Sequence, residues 1–115
     1  MLNSSEIAHA LVDVASGLQA EDIVMLDISK ITTIADYFVI LSASTGRHIR
    51  TLRDDMVKHL KDLGVALGHS EGTLDSGWLL LDFGDVIVHA FGSAERKYYQ
   101  LEQLWAKGVH VVRIQ

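Results

Sequence analysis

With 115 residues, 49% of them hydrophobic, the chain can enclose one real core and is too short for two. Its formal net charge of -5 repels phosphate backbones, so a direct grip on nucleic acid is not expected, whereas docking on a basic protein stays open. The absence of cysteine excludes a disulfide framework, a thiolate zinc site and a cysteine nucleophile.

The opening residues MLNSSEIAHALVDVAS have no basic start and no unbroken apolar run, and they contain acids that a transit peptide avoids. No stretch approaches the roughly 20 apolar residues that span a bilayer, so a soluble, cytoplasmic protein is expected. Asn3 followed by Glu6 has capping-box spacing, and Ile7, Leu11, Val14 and Leu18 recur at helical intervals, which predicts a helix from about Ser4 to Ser16 ended by Gly17. Asp22 to Ile28 is short, branched and apolar, as an interior strand is. A loop follows over Ser29 to Ala35, then a second strand over Asp36 to Ser42.

Ser44-Thr45-Gly46 opens a helix whose Ile49, Leu52, Met56, Leu60 and Leu63 share one stripe, and Gly64 stops it. Its other face, with Arg47, Arg50, Asp54, Lys58 and Lys61, reads as an ordinary solvated surface. Val65 to His69 is taken as a third strand, which after a strand and a helix implies a crossover with parallel pairing. Glu71 to Ser76 is taken as a loop. Ser93 would cap a final helix bearing Tyr98, Leu101 and Trp105. The tail Lys107–Gln115 is left open between a strand and a loose end, within a single domain over residues 1–115.

The most informative stretch is GWLLLDFGDVIVHAF, Gly77 to Phe91, which reads as two strands joined by a Gly84-Asp85 turn. That turn pairs Phe83 with Val86, Leu81 with Val88 and Leu79 with Ala90 on one apolar face. The reverse face sets Trp78, Leu80 and Asp82 opposite Phe91, His89 and Ile87, mostly apolar yet holding a carboxylate and an imidazole. Because the helix stripes each need a sheet face, this aromatic side is expected to be the one incompletely covered. The whole predicts an α+β fold, a mixed β-sheet of about five strands with helices packed on it.

Chemistry-bearing motifs are weak. Asp82-Phe83-Gly84 matches the kinase magnesium motif without any of its context. Asp27, Asp36, Asp82 and Asp85 could in principle hold magnesium for nucleotidyl transfer, but a turn acid usually serves the turn. The six histidines form no metal-binding spacing, and SASTG, Ser42 to Gly46, lacks the lysine of a phosphate loop, so capping is its expected task. No catalytic residue, metal or cofactor is expected.

ADYFVILSAS at Ala35 to Ser44, the Glu71-Gly72 pair, GWLLLDFGDVIVHAF and ERKYYQLEQLW at Glu95 to Trp105 together resemble the ribosomal silencing factors of the RsfS/Iojap type, from Ile7 to Trp105. The resemblance implies a homodimeric, non-enzymatic protein with a nucleotidyltransferase-like fold lacking the catalytic acids. It also implies binding to the large ribosomal subunit through its ribosomal protein number fourteen, a block on subunit joining that represses translation when nutrients are scarce, and an organelle role in large-subunit biogenesis. On this reading Trp78 is the anchor, Leu80, Ile87 and Phe91 surround it with His89 on the same face, Asp82 and Glu71 meet basic partner side chains, and Arg96, Tyr98 and Tyr99 complete the rim or pack against the sheet. The rival readings are a magnesium-dependent nucleotidyltransferase and a dimerisation or assembly module whose Trp78 face is buried between two copies.

Overall fold

The computed structural model describes residues 2–73 and 76–92 and the backbone of 109–114. Helix α1 spans Ser4–Gly17 and starts on the expected capping box: the Asn3 side chain accepts the Glu6 N–H at 2.8 Å while Glu6 Oε1 accepts the Asn3 N–H at 3.0 Å. Strand β1 is Glu21–Asp27 and β2 is Tyr37–Ala43, close to the predicted bounds. Helix α2, Gly46–Asp62, begins at Thr45, whose hydroxyl accepts the His48 N–H at 3.0 Å, so the small-residue turn does cap. Strands β3 (His69–Thr73), β4 (Trp78–Asp82), β5 (Val86–Gly92) and β6 (Val109–Ile114) follow.

The strands form a six-stranded mixed sheet in the order β3-β4-β5-β2-β1-β6, in which β2 and β5 are parallel and every other neighbouring pair is antiparallel. Two expectations are corrected here. The third strand is His69–Thr73 rather than Val65–His69, so Glu71 lies in a strand and not in a loop. The Val65 N–H is taken by the Leu60 carbonyl at 2.8 Å, closing α2, while half-buried Val65 and Leu67 pack against the core from the side. The parallel partner of β2 is consequently β5, reached only after α2, β3 and β4. The terminal segment, open between strand and tail, is a strand on the free edge of β1.

Both helices pack on one face of the sheet. Leu11, Val12, Leu52, Met56 and Leu60 meet Met25, Val39, Leu41, Leu81 and Val88 there. The opposite face gathers a second cluster of Val24, Leu26, Ile28, Phe38, Ile40, Ile87 and Phe91, with Trp78 and Leu80 at its margin. No described helix is long and apolar enough to cross a membrane. The predicted helix after Ser93, with Arg96, Tyr98 and Tyr99, lies outside the described residues.

Candidate functional site

The site is built on the β4–β5 hairpin, whose register matches the expected one throughout. Trp78 faces Phe91, Leu80 faces His89 and Asp82 faces Ile87, while Leu79–Ala90 and Leu81–Val88 point into the helix-covered core. The turn specifies this register. Gly84 has φ +95° and Asp85 does not have a positive φ, the combination a type II′ hairpin requires, and the Phe83 N–H donates to the Val86 carbonyl at 2.9 Å. Asp82 Oδ1 accepts the Gly84 N–H at 2.7 Å, so that carboxylate first serves its own turn.

Trp78 is seated by the neighbouring strand. Gly72 in β3 has φ +86°, and a Cβ placed there would collide with the Trp78 carbonyl oxygen and lie 3.0 Å from indole Cε3. A glycine is therefore needed for the backbones to approach and for the ring to lie where it does. Ser76 fixes the same corner: its hydroxyl lies 2.8 Å from the Thr73 carbonyl and 3.0 Å from the Trp78 carbonyl, while its N–H donates to Thr73 Oγ1 at 3.1 Å. The tryptophan is half-buried on a rigid support.

The expected vacancy of this face is only partly present. Phe91 is 2% exposed and Ile87 and His89 are each 7% exposed, so these three lie beneath the surface. Trp78, Leu80 and Asp82 remain half-buried and Glu71 is exposed. Direct contact with another molecule is thus open to the β4 margin and to β3, with the β5 side chains as their floor. His89 sits edge-on to Phe38, ring centroids 4.8 Å apart, and parallel to Phe91 at 6.3 Å. Neither of its nitrogens has a hydrogen-bond partner among the described residues, and burial pushes the imidazole down to about 4, so it is neutral at pH 7.

Among the described residues no three His, Asp or Glu side chains converge as a metal site would require. Asp27, one of the four acids weighed for magnesium, instead accepts the Ser29 hydroxyl at 2.6 Å and the Ser29 N–H at 3.0 Å, which hold its carboxyl below the usual carboxylate range. Two contributions escaped the sequence reading. Gly72 as the floor of the indole was signalled only by its place in the Glu71-Gly72 pair. His48, at 2.8 Å from the Leu18 carbonyl, ties the start of α2 to the end of α1, and no spacing rule points to it.

Comparison with known proteins decides the family. The family model described as ribosomal silencing factor during starvation matches residues 1–115. The chain belongs to the RsfS family of ribosomal silencing factors. That match takes in the tail, which the motif resemblance left out. A ribosomal silencing factor of Halalkalibacterium halodurans is 32% identical over 90% of this chain and 89% of its own length. A crystal structure of a Chromobacterium violaceum protein superposes with a TM-score of 0.87 at 31% identity, covering 96% of this chain and 94% of that one. The mouse protein named for mitochondrial assembly of the ribosomal large subunit is 34% identical over 75% of this chain and 39% of its own length. RsfS proteins are non-enzymatic translation regulators, so the nucleotidyltransferase reading falls, and the α+β sheet fold is that of the family's crystal structures.

Proposed function

We propose that the protein docks on the large ribosomal subunit through its ribosomal protein number fourteen and sterically blocks joining of the small subunit, lowering translation when nutrients are limiting. The observation that carries the reading is the half-buried Trp78, held by Gly72 and bordered by Leu80, on the sheet margin of an acidic RsfS-family chain. A rigid aromatic with an acidic surround suits a basic protein surface better than it suits RNA. Trp78 and Leu80 supply the apolar contact, and Glu71 and Asp82 the acceptors. Ile87, His89 and Phe91 set the height of the indole from beneath. No bond is made or broken; occupancy is the mechanism. The free protein is a cytoplasmic homodimer on this reading.

The test is a gradient profile of purified subunits mixed with and without the protein. Coupled particles should fall while free large subunits retain the protein. Trp78→Ala should weaken retention by about 2 kcal/mol, roughly thirtyfold in affinity. A folded Trp78→Ala protein that sediments with large subunits as well as the parent overturns the assignment. A second reading, assistance in large-subunit biogenesis, is favoured by the name of the mouse relative. It predicts immature large particles in cells lacking the protein even during rapid growth.

A further inference from the structure

The loop between β1 and β2 carries two of the three exposed large hydrophobic residues among those described: Ile34 is 67% exposed and Ile31 is 38% exposed. Single exposed isoleucines need no explanation, but two in one nine-residue loop, 28–36, are a concentration that does. The loop is also built to hold them. The Ile28 carbonyl accepts the N–H groups of Ile31 and Thr32 at 3.0 and 3.1 Å, and Thr32 Oγ1 accepts the Ile34 N–H at 3.2 Å. Asp27 anchors the entrance through Ser29, and the exit is pinned where the Ile28 N–H donates to the Asp36 carbonyl at 2.9 Å. The backbone that presents the two side chains is therefore already ordered, and little backbone entropy is left to lose on binding.

The surroundings are acidic. The register places Asp27 beside Tyr37, Tyr37 beside Val86, and Asp82 beside Ile87, so Asp27, Asp36, Asp82 and Asp85 all lie at this end of the sheet. The Asp36 N–H donates to the Asp85 carbonyl at 2.7 Å, joining the loop to the hairpin turn. Four carboxylates thus lie at this end, Asp27 on the helix-covered face, Asp82 on the opposite face and Asp36 and Asp85 in the two connecting loops, against one ammonium on the β1–β2 loop, that of Lys30.

We infer that the β1–β2 loop is an interaction surface, in which Ile31 and Ile34 insert into an apolar notch of a lysine- and arginine-rich protein surface and the flanking carboxylates pair with its cations. This rests on the reading that the protein binds the large subunit, and it adds a contact remote from Trp78, which lies at the opposite end of β4. The charge selects the occupant. A phosphate backbone or an anionic lipid surface would be repelled by this acidic end, and a second copy apposed about a twofold axis would bring two such ends together. A basic protein surface alone gains from both the apolar tip and the acidic surround.

The experiment compares the parent, Ile31→Ser/Ile34→Ser, Asp36→Asn/Asp85→Asn and Trp78→Ala for binding to purified large subunits across a salt series. The double serine variant should stay folded, with a melting temperature a few degrees lower because Ile31 is only 38% exposed, and should bind at least tenfold more weakly. The double asparagine variant should lose affinity at low salt and show a flatter salt dependence. Parent-like binding by the double serine variant, with Trp78→Ala impaired, overturns the loop surface and leaves the docking reading standing. No binding by the parent overturns both. A parent dimer that becomes a monomer in the double serine variant overturns the inference by assigning the loop to self-association.

Discussion

At the scale of single residues, His89 is the point of greatest internal conflict. Its ring is packed between Phe38 and Phe91, opposite Leu80, with both nitrogens out of reach of any described partner. A buried polar atom without a partner costs about 1–3 kcal/mol, so the imidazole is not there for the stability of the neutral fold. It also makes the fold acid-sensitive, with a definite sign. The unfolded chain takes up a proton near pH 6.5, whereas the folded ring resists until about pH 4. Stability is therefore full above pH 6.5, declines as the pH falls through the interval, and levels out below pH 4, a loss of roughly 3 kcal/mol from this one group. His89→Leu, of similar volume and with nothing to protonate, should match or exceed the parent at pH 7.5 and should lack this part of the acid decline. Thermal melts of both proteins from pH 7.5 to 4 provide the check; curves that fall in parallel would show that His89 is not the sensor.

At the scale of elements, the two helix ends offer an internal control. Both close with the same backbone pattern: Gln19 and Ala20 donate to Ser16 and Ala15, and Gly64 and Val65 donate to Lys61 and Leu60. In α2 the left-handed position falls on Gly64 at φ +88°, but in α1 it falls on Gln19 at φ +62°, because Gly17 lies two residues too early and is still helical. A side chain in that region costs about 1 kcal/mol, so Gln19→Gly should stabilise the protein by about 0.5–1 kcal/mol and raise its melting temperature by a few degrees. An unchanged or lower melting temperature would mean that the Gln19 side chain contributes a compensating contact. The same two ends show what a sequence can reveal. Gly64 was legible because the apolar stripe of α2 stops beside it, and the hairpin register was legible because a two-residue turn allows only one. The strand His69–Thr73 was not, since an edge strand exposed along its whole length has no alternation to read and the apolar Val65–Leu67 beside it draws the eye. Trp78 stood out as an aromatic on a partly polar face. The burial of Ile87, His89 and Phe91 depends on where the sheet lies within the fold, which strand pattern alone does not carry. Ile31 and Ile34 were passed over for a related reason: side-chain-to-backbone bonds, not periodicity, shape their loop.

At the scale of the whole molecule, the outer edge of β1 is covered by β6. Strand β1 is the hinge of both clusters: Ile23 and Met25 belong to the helix-covered core, Val24 and Leu26 to the opposite one, and all four have no exposed surface. Its outer backbone groups are paired by β6, from Ile23 with Ile114 to Asp27 with Val109. Removing residues 109–115 would leave a long apolar strand with an open row of N–H and C=O groups, the arrangement most prone to edge-to-edge association. The helix and hairpin cores would remain, so the truncated chain should fold but with lower stability and a tendency to aggregate. The expected readouts are a melting temperature lower by at least 5 °C and concentration-dependent light scattering absent from the parent. Amide exchange should place the loss in β1, with protection falling at Ile23 to Asp27 while the β4–β5 hairpin, three strands away from β6 at its nearest, stays protected. A truncated protein that is monomeric and melts with the parent would show that β1 needs no outer partner, and that the tail serves something other than the sheet.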